Sequence, residues 1–212
     1  MKRGLLITFE GIDGCGKTTQ IQELISRFKD QFEYLLVREP GGTPICEQIR
    51  QILLDNANNE MFPITELLLY SASRHQLCRE AILPALKKGK IVLCDRFYDS
   101  TTAYQGYGRG LDLEFIHQLN HWATDGLVPD MTFIFDISLT EREKRMRGKP
   151  KDRLEADELA FQQRVCEGFR KIAAKEPQRV HLIDGMQPVE VIAGEVWQTF
   201  QTIWREHSHA NQ

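Results

Sequence analysis

The sequence has no apolar run long enough to cross a membrane. Its first, Leu5–Phe9, is already interrupted by Thr8, whereas a spanning helix needs about 20 apolar residues. The run is equally short for a signal peptide, so a cytoplasmic protein without a membrane segment is expected. Cysteine is sparse and odd in number: Cys15, Cys46, Cys78, Cys94 and Cys166, with no CxxC among them. That argues against a disulfide framework and a structural zinc site, and suits a reducing compartment. Net positive charge is missing too: 27 Lys and Arg against 30 Asp and Glu leave −3, a poor balance for a protein that lives on a polyanion, and no nucleic-acid partner is expected. N-K-x-D, with which switch GTPases read guanine, does not occur. Repeats, low-complexity tracts and linkers are also absent, so the 212 residues read as a single domain, 1–212.

What the chain does have is five short apolar runs: "LLITF" (5–9), "YLLV" (34–37), "IVLC" (91–94), "MTFIF" (131–135) and "VHLI" (180–183). None alternates strictly, the pattern of strands buried on both faces of a parallel sheet. Helical patterns lie between them. Ile21, Leu24, Ile25 and Phe28 form one stripe, and Ile49, Ile52 and Leu53 another. Pro63 suits the first turn of a long helix towards Lys88, bent near Pro84. Further helices are expected near 112–124, 157–175 and 188–205. Strands alternating with helices predict an α/β domain with helices on both faces. Each strand runs into polar or glycine-rich chemistry ("EGIDG", "REPGG", "DRFYDS", "DIS", "DG"), and ligands of such sheets bind beyond the carboxyl ends of the strands.

Gly11-Ile12-Asp13-Gly14-Cys15-Gly16-Lys17-Thr18 matches G-x-x-x-x-G-K-[ST] in full, after an apolar strand and before an amphipathic helix. The glycines let backbone N–H groups turn towards phosphate oxygens, and the helix start adds its positive end. Residues Gly11 to Thr18, with Thr19, are the expected ATP site. Lys17 is expected to reach the β- and γ-phosphates, and Thr18 to ligate Mg²⁺. Asp95, closing the third apolar run, is placed to hold that Mg²⁺ directly or through water. Arg96 beside it offers a fork for a phosphate-bearing acceptor. Tyr70 and Arg74, four apart, share a helix face and make a nucleotide clamp with a ring and a guanidinium.

"FEGIDGCGKTT", "REPGGT", "LLLYSASRHQ", "DRFYDSTTAYQGYGRG" and "DRLE" follow one another in that order. Together they closely resemble the bacterial thymidylate kinases (dTMP kinases), and the resemblance spans essentially the whole chain. It implies the P-loop nucleoside monophosphate kinase fold, a five-stranded parallel sheet ringed by helices, usually as a homodimer. It also implies transfer of the ATP γ-phosphoryl group to dTMP, giving dTDP on the way to dTTP. By the same resemblance Tyr70 stacks on thymine, Arg74 contacts the base or nearby groups, and Arg96 holds the dTMP phosphate. Thr101, Tyr104 and Gln105 surround base and sugar, with Tyr104 crowding C2′. Asp13 faces the acceptor, and Glu39 and Pro40 shape the strand end beside it.

Phosphoryl transfer is mostly positioning and charge neutralisation. Some thymidylate kinases carry an arginine inside the P-loop; here the variable positions are Ile12, Asp13, Gly14 and Cys15. The bacterial type supplies the charge from a lid, and "KRMRGKPKDR" (144–153) holds six Lys or Arg in ten positions where that lid belongs, about 142–155. It is expected to begin as helix and then open. Arg147 and Arg153 are the expected contacts to the transferring group, with Arg145 against the adenine or the α- and β-phosphates. Lys149 and Lys151 are possible helpers. Glu155 is expected to order the lid or a metal-bound water. Two rival readings are another monophosphate kinase on the same fold, and a P-loop ATPase using 144–153 as a nucleic-acid patch. The tail "WREHSHANQ", with His207 and His209, has no metal-ligand spacing and is expected to fray.

Overall fold

The computed structural model describes residues 3–149, 152–154 and 157–209. Strands β1 (Leu6–Glu10), β2 (Tyr34–Arg38), β3 (Ile91–Asp95), β4 (Met131–Asp136) and β5 (Val180–Asp184) coincide with the five apolar runs to within about one residue. They form one parallel sheet in the order β2-β3-β1-β4-β5. Leu5, Ile7 and Phe9 enter one apolar core together with Ile91 and Leu93. Leu6, Val92 and Cys94 enter a second. Alternate residues of a strand point to opposite faces, so both faces of the sheet are covered. Helices α1 (Lys17–Phe28), α8 (Leu159–Lys175) and α9 (Val189–His209) contribute to the first core. The second takes residues of α2 (Pro44–Leu54), the end of α3 (Pro63–Leu77) and α4 (Leu83–Lys87).

The long helix expected from Pro63 towards Lys88 is present but divided. A wide π-turn over Cys78–Ile82 separates α3 from α4. Pro84 lacks an N–H and would clash with the carbonyl of Glu80 in a regular α-helix; widening the turn ahead of it relieves both problems. A second helical stretch has no strong periodicity to announce it. Here α5 (Tyr98–Thr101) continues into a π-turn, Thr102–Gly108. It is held by close approach to α8: a Cβ on Gly108 would lie 2.7 Å from the Phe161 ring, and one on Gly168 2.8 Å from Tyr107. Helix α6 (Leu113–Ala123) follows, capped by Asp112, whose side chain accepts from Phe115 N. The tail was expected to fray, but through His209 it stays helical: α9 runs to that residue, and His207 Nε2 lies 2.8 Å from the Arg3 carbonyl.

With all strands parallel, Glu10, Arg38, Asp95, Asp136 and Asp184 close their strands at one edge. The central strand β1 is flanked by β3 on one side and β4 on the other. The crevice lies where connections leave in opposite directions from the strand order, and the 11–18 loop springs from that point.

Candidate active site

The loop after β1 runs through three residues of positive φ, Gly11 (128°), Gly14 (79°) and Gly16 (104°). A side chain at Gly11 would also collide with the Phe135 carbonyl, its Cβ at 2.6 Å, so glycine is required there on two counts. Gly16 caps α1 without any side-chain acceptor. The first N–H groups of α1 therefore remain free to meet an anion. Lys17 folds back over the loop: its Nζ donates to the carbonyls of Gly11 (3.1 Å) and Ile12 (3.2 Å) and lies 3.7 Å from Cys15 Sγ. A cleft of about 660 Å³ opens above, lined among others by Asp13, Gly14, Lys17, Thr18 and Thr19. Gly11 and Ile12 do not line it. Gly11 lends its carbonyl to Lys17 and Arg96, and the Ile12 side chain belongs to the core.

Thr18 Oγ1 donates to Asp95 Oδ2 at 3.3 Å, bringing together the two expected metal ligands. Among the described residues no group of three or more His, Cys, Asp or Glu side chains is arranged to hold a metal ion. The donor set of one carboxylate and one hydroxyl is too small for a resident metal. It fits Mg²⁺, which keeps several waters and takes further oxygens from nucleotide phosphates. Glu155, the third expected metal residue, lies outside the described residues, as do Pro150 and Lys151.

Arg96 stands between this cleft and a second cavity. Its backbone adopts φ 70°, rare for a non-glycine residue. Two things hold it there. The Arg96 N–H donates to the Phe9 carbonyl (3.0 Å), and the turn after it is tied to Glu10 at the end of β1. Phe97 N (2.7 Å), Ser100 N (3.3 Å) and Ser100 Oγ (2.5 Å) all donate to the Glu10 carboxylate. Burial, with Asp99 nearby, pushes the Glu10 carboxyl up to about 8. The Arg96 fork is then spread over three acceptors: Nη1 to Gly11 O (2.8 Å) and Ser100 Oγ (3.2 Å), and Nη2 to Asp13 Oδ1 (2.7 Å). Its guanidinium also lies 5.4 Å from the centre of the Tyr104 ring. Burial by itself would raise the Asp13 carboxyl, but Arg96 and Lys17 outweigh it and hold the group at about 2.

The second cavity is lined by Asp13, Glu39, Pro40, Arg50, Tyr70, Arg74, Arg96, Thr101, Tyr104 and Gln105, with Asp152 and Leu154 among the rest. Every residue that the resemblance assigns to the acceptor is thus in one wall or another. At about 80 Å³ it is far narrower than a usual ligand pocket of about 300–1,000 Å³. Arg74 lines it but is committed to the protein. It donates to Thr101 Oγ1 (2.7 Å), Asn120 Oδ1 (2.9 Å) and the Phe97 carbonyl (3.5 Å), and its Nε is 2.7 Å from Glu39 Oε1. Burial, opposed by Arg74, pushes the Glu39 carboxyl up to about 7. The Tyr104 hydroxyl is buried with no partner among the described residues, and desolvation raises it well above its ordinary value.

The basic decade divides. Helix α7 (Leu139–Met146), capped by Ser138, ends at Arg147, and Gly148 (φ 79°) turns the chain away. This is the expected helix that opens. Arg145 reaches the phosphate loop: Nη1 donates to Gly14 O (3.4 Å) and Nη2 to Gly185 O (3.0 Å), with Nε on Glu141 (2.8 Å). Lys149 also lines the larger cleft. Arg147 is exposed and lines neither cavity. Arg153, expected at the phosphoryl group, faces the opposite way: it is buried against Glu66 and the Leu53 carbonyl. Glu66 is a buried carboxylate on the first turn of α3, and it meets Arg109 as well as Arg153.

Three residues escaped the motif reading. Arg50 donates to the Pro40 carbonyl (2.8 Å) and lines both cavities. Its signal is a charge beside the apolar stripe Ile49, Ile52 and Leu53. Gln20 is buried and lines the larger cleft, with Nε2 on Val189 O (3.1 Å). Arg142 is buried in α7 with its Nε unpartnered among the described residues, and its charge helps to lower Asp13. Nothing local distinguished it from its exposed neighbours.

A phosphate-binding loop at the switch point of a parallel sheet, facing an acceptor cavity across one arginine, defines a P-loop nucleoside monophosphate kinase. The "Thymidylate kinase" family model matches residues 9–196. The thymidylate kinase of Caldanaerobacter subterraneus subsp. tengcongensis is 52% identical over 188 residues, 88% of this chain and 90% of that one. The thymidylate kinase of Kosmotoga olearia is 46% identical over 209 residues, 97% and 99% of the two chains. The crystal structure of thymidylate kinase from Ehrlichia chaffeensis superposes with a TM-score of 0.78 at 38% identity, covering 94% of this chain and 99% of that one. This chain belongs to the thymidylate kinase family.

Proposed function

We propose that the protein phosphorylates dTMP to dTDP at the expense of ATP. The observation that carries this reading is Arg96, whose fork joins the phosphate loop to the acceptor cavity through Gly11 and Asp13. ATP lies in the larger cleft with its phosphates on the N–H groups of the loop and of α1. Lys17 exchanges the carbonyls it now caps for phosphate oxygens. Thr18 and Asp95 would hold Mg²⁺, which neutralises phosphate charge and aligns the oxygens when bound. The monophosphate enters the narrower cavity with its base beside Tyr70 and its phosphate at Arg96. Tyr104 presses on the sugar, a fit that favours a deoxyribose. Asp13, an anion held by Arg96 and Lys17, repels phosphate and so keeps the fork turned to the right place rather than binding ATP by charge.

In this reading the described residues 142–149 act as the lid of the single domain. Arg145 is the lid cation already at the loop, Lys149 a second in the cleft, and Arg147 a third that swings in from the surface. A homodimer is part of the same proposal. Ile45 and Ile52 on α2, Ile64 and Leu68 on α3, and Phe115 and Trp122 on α6 are large apolar side chains left exposed, with α3 packed against both α2 and α6; a second copy covers them. The experiment is a monophosphate panel: dTMP, dUMP, dGMP, dCMP and UMP with ATP, followed by ADP release. Preference for dTMP is expected; preference for any base other than thymine overturns the reading.

A further inference from the structure

We propose that Glu66 and Arg153 are positioning residues of the acceptor pocket: together they hold the segment Asp152–Leu154 in its wall, and Arg153 does not touch the transferring phosphoryl group. The inference rests on the acceptor reading above, but it concerns how the pocket is built. Glu66 is 0% exposed. Its Oε1 accepts from Gln105 Nε2 (2.7 Å) and Arg109 Nε (3.3 Å). Its Oε2 accepts from Arg109 Nη2 (3.1 Å) and lies 2.6 Å from Arg153 Nη1. Arg109 in turn donates to both oxygens of Asp157, at 3.1 and 2.7 Å. Two guanidinium groups thus face two carboxylates, and the cluster is neutral as a whole. Burial alone would raise the Glu66 carboxyl; the bonds from Arg109 and Gln105 and the charge of Arg153 hold it below the usual range.

Arg153 is 7% exposed. Besides Glu66 it holds the Leu53 carbonyl at the end of α2, Nε to O 2.9 Å, so it staples its own segment to two helices. The next residue, Leu154, accepts from Gln162 Nε2 of α8 (2.8 Å) through its carbonyl, and its N–H donates to Asp152 Oδ1 (3.0 Å). Asp152 and Leu154 both line the acceptor cavity, as do Gln105 and Tyr70, the latter one turn beyond Glu66 on α3. One carboxylate therefore ties two parts of that wall, Gln105 and the segment 152–154, to the helix that carries Tyr70. The donor cleft takes Arg145 and Lys149 from the same basic stretch, and Arg153 is not in it. Of the three Arg153 nitrogens Nη2 has no hydrogen-bond partner among the described residues, but turning the guanidinium to a phosphate would leave the Leu53 carbonyl and Glu66 without the bonds that Nε and Nη1 supply.

The test uses the full chain as Arg153→Met, Glu66→Gln and the double variant, with dTMP affinity by calorimetry and steady-state kinetics in dTMP and in ATP separately. Arg153→Met should raise Kd and KM for dTMP on the order of tenfold, and leave KM for ATP and kcat within about threefold. In the Glu66→Gln background the same change should add little, because its partner is gone. Arg153→Lys should recover most of the dTMP affinity. Overturning results are a fall in kcat of about a hundredfold with KM for dTMP unchanged, equally large in the Glu66→Gln background, or no effect of Arg153→Met at all. If Glu66→Gln does not fold, the Met and Lys variants still decide, since in them Glu66 keeps Arg109 and Gln105. A wild-type protein that does not phosphorylate dTMP refutes the proposed function; an active one indifferent to Arg153→Met refutes only this inference.

Discussion

Replacing Arg96 by lysine tests the heart of the site. The guanidinium bonds Gly11 O and Ser100 Oγ through one nitrogen and Asp13 Oδ1 through another. An ammonium is a single point and serves only one side of that arrangement. Two charge-assisted bonds at about 1.5 kcal/mol each come to roughly 3 kcal/mol. If the acceptor phosphate uses the same fork, kcat/KM for dTMP falls on the order of 150-fold at 25 °C. Lysine meets the same left-handed backbone (φ 70°) as arginine does, so the substitution adds no new strain there. The assay is coupled ADP release, with dTMP varied at saturating ATP and then ATP varied at saturating dTMP, and a thermal melt to show that the variant is folded. Kinetics unchanged within about threefold would mean that the fork is not used as a fork. A loss confined to KM for ATP would place Arg96 on the donor and refute the acceptor assignment.

Arg145→Ala removes a cation bonded to Gly14 and Gly185, and should lower kcat/KM for ATP; Arg147→Ala should lower kcat by about 2 kcal/mol or more, with dTMP affinity little changed. An unchanged kcat in the second variant assigns the lid's role to Arg145 alone. Stability should fall as pH rises from about 5 to about 8. Glu10 and Glu39, raised from 4.5 to about 8 and about 7, keep protons in the folded state that the unfolded chain has released. Asp13, held at about 2, acts with the opposite sign but only in acid. Melting midpoints that climb between pH 5 and 8 would contradict this, and Glu10→Gln should flatten the dependence. Trp122→Glu, placed on a residue 77% exposed in the single chain, should halve the mass measured by sedimentation if the apolar face of α2, α3 and α6 joins two copies. An unchanged mass moves the interface elsewhere.

The strands were legible because burial on both faces of a parallel sheet writes itself as a continuous apolar run, and all five runs became strands. The phosphate loop was legible because four of its positions are dictated by backbone geometry and charge. Less visible was the helical stretch 98–108, rich in Ser, Thr and Gly; what holds it is the close approach of Gly108 and Gly168 to aromatic rings on the opposing segment. Arg50 and Arg142 were hidden for a related reason, since a charge in a helical pattern says nothing of the face it will occupy.

Residue type and short-range spacing were sufficient by themselves for the α/β class, the triphosphate loop and Arg96 as a phosphate fork beside it. Those features depend on backbone conformation and on chemistry carried within a few residues. Thr101, Tyr104 and Gln105 followed only from the resemblance of whole motifs to a family, and Arg50 was not anticipated at all. The fate of the basic decade was decided only in three dimensions. Arg145 and Arg153 are eight positions apart in one charged stretch, yet one lies on the phosphate loop and the other on Glu66. A cation goes to whichever anion the fold buries within its reach, and the anion that captured Arg153 comes from another helix far earlier in the chain.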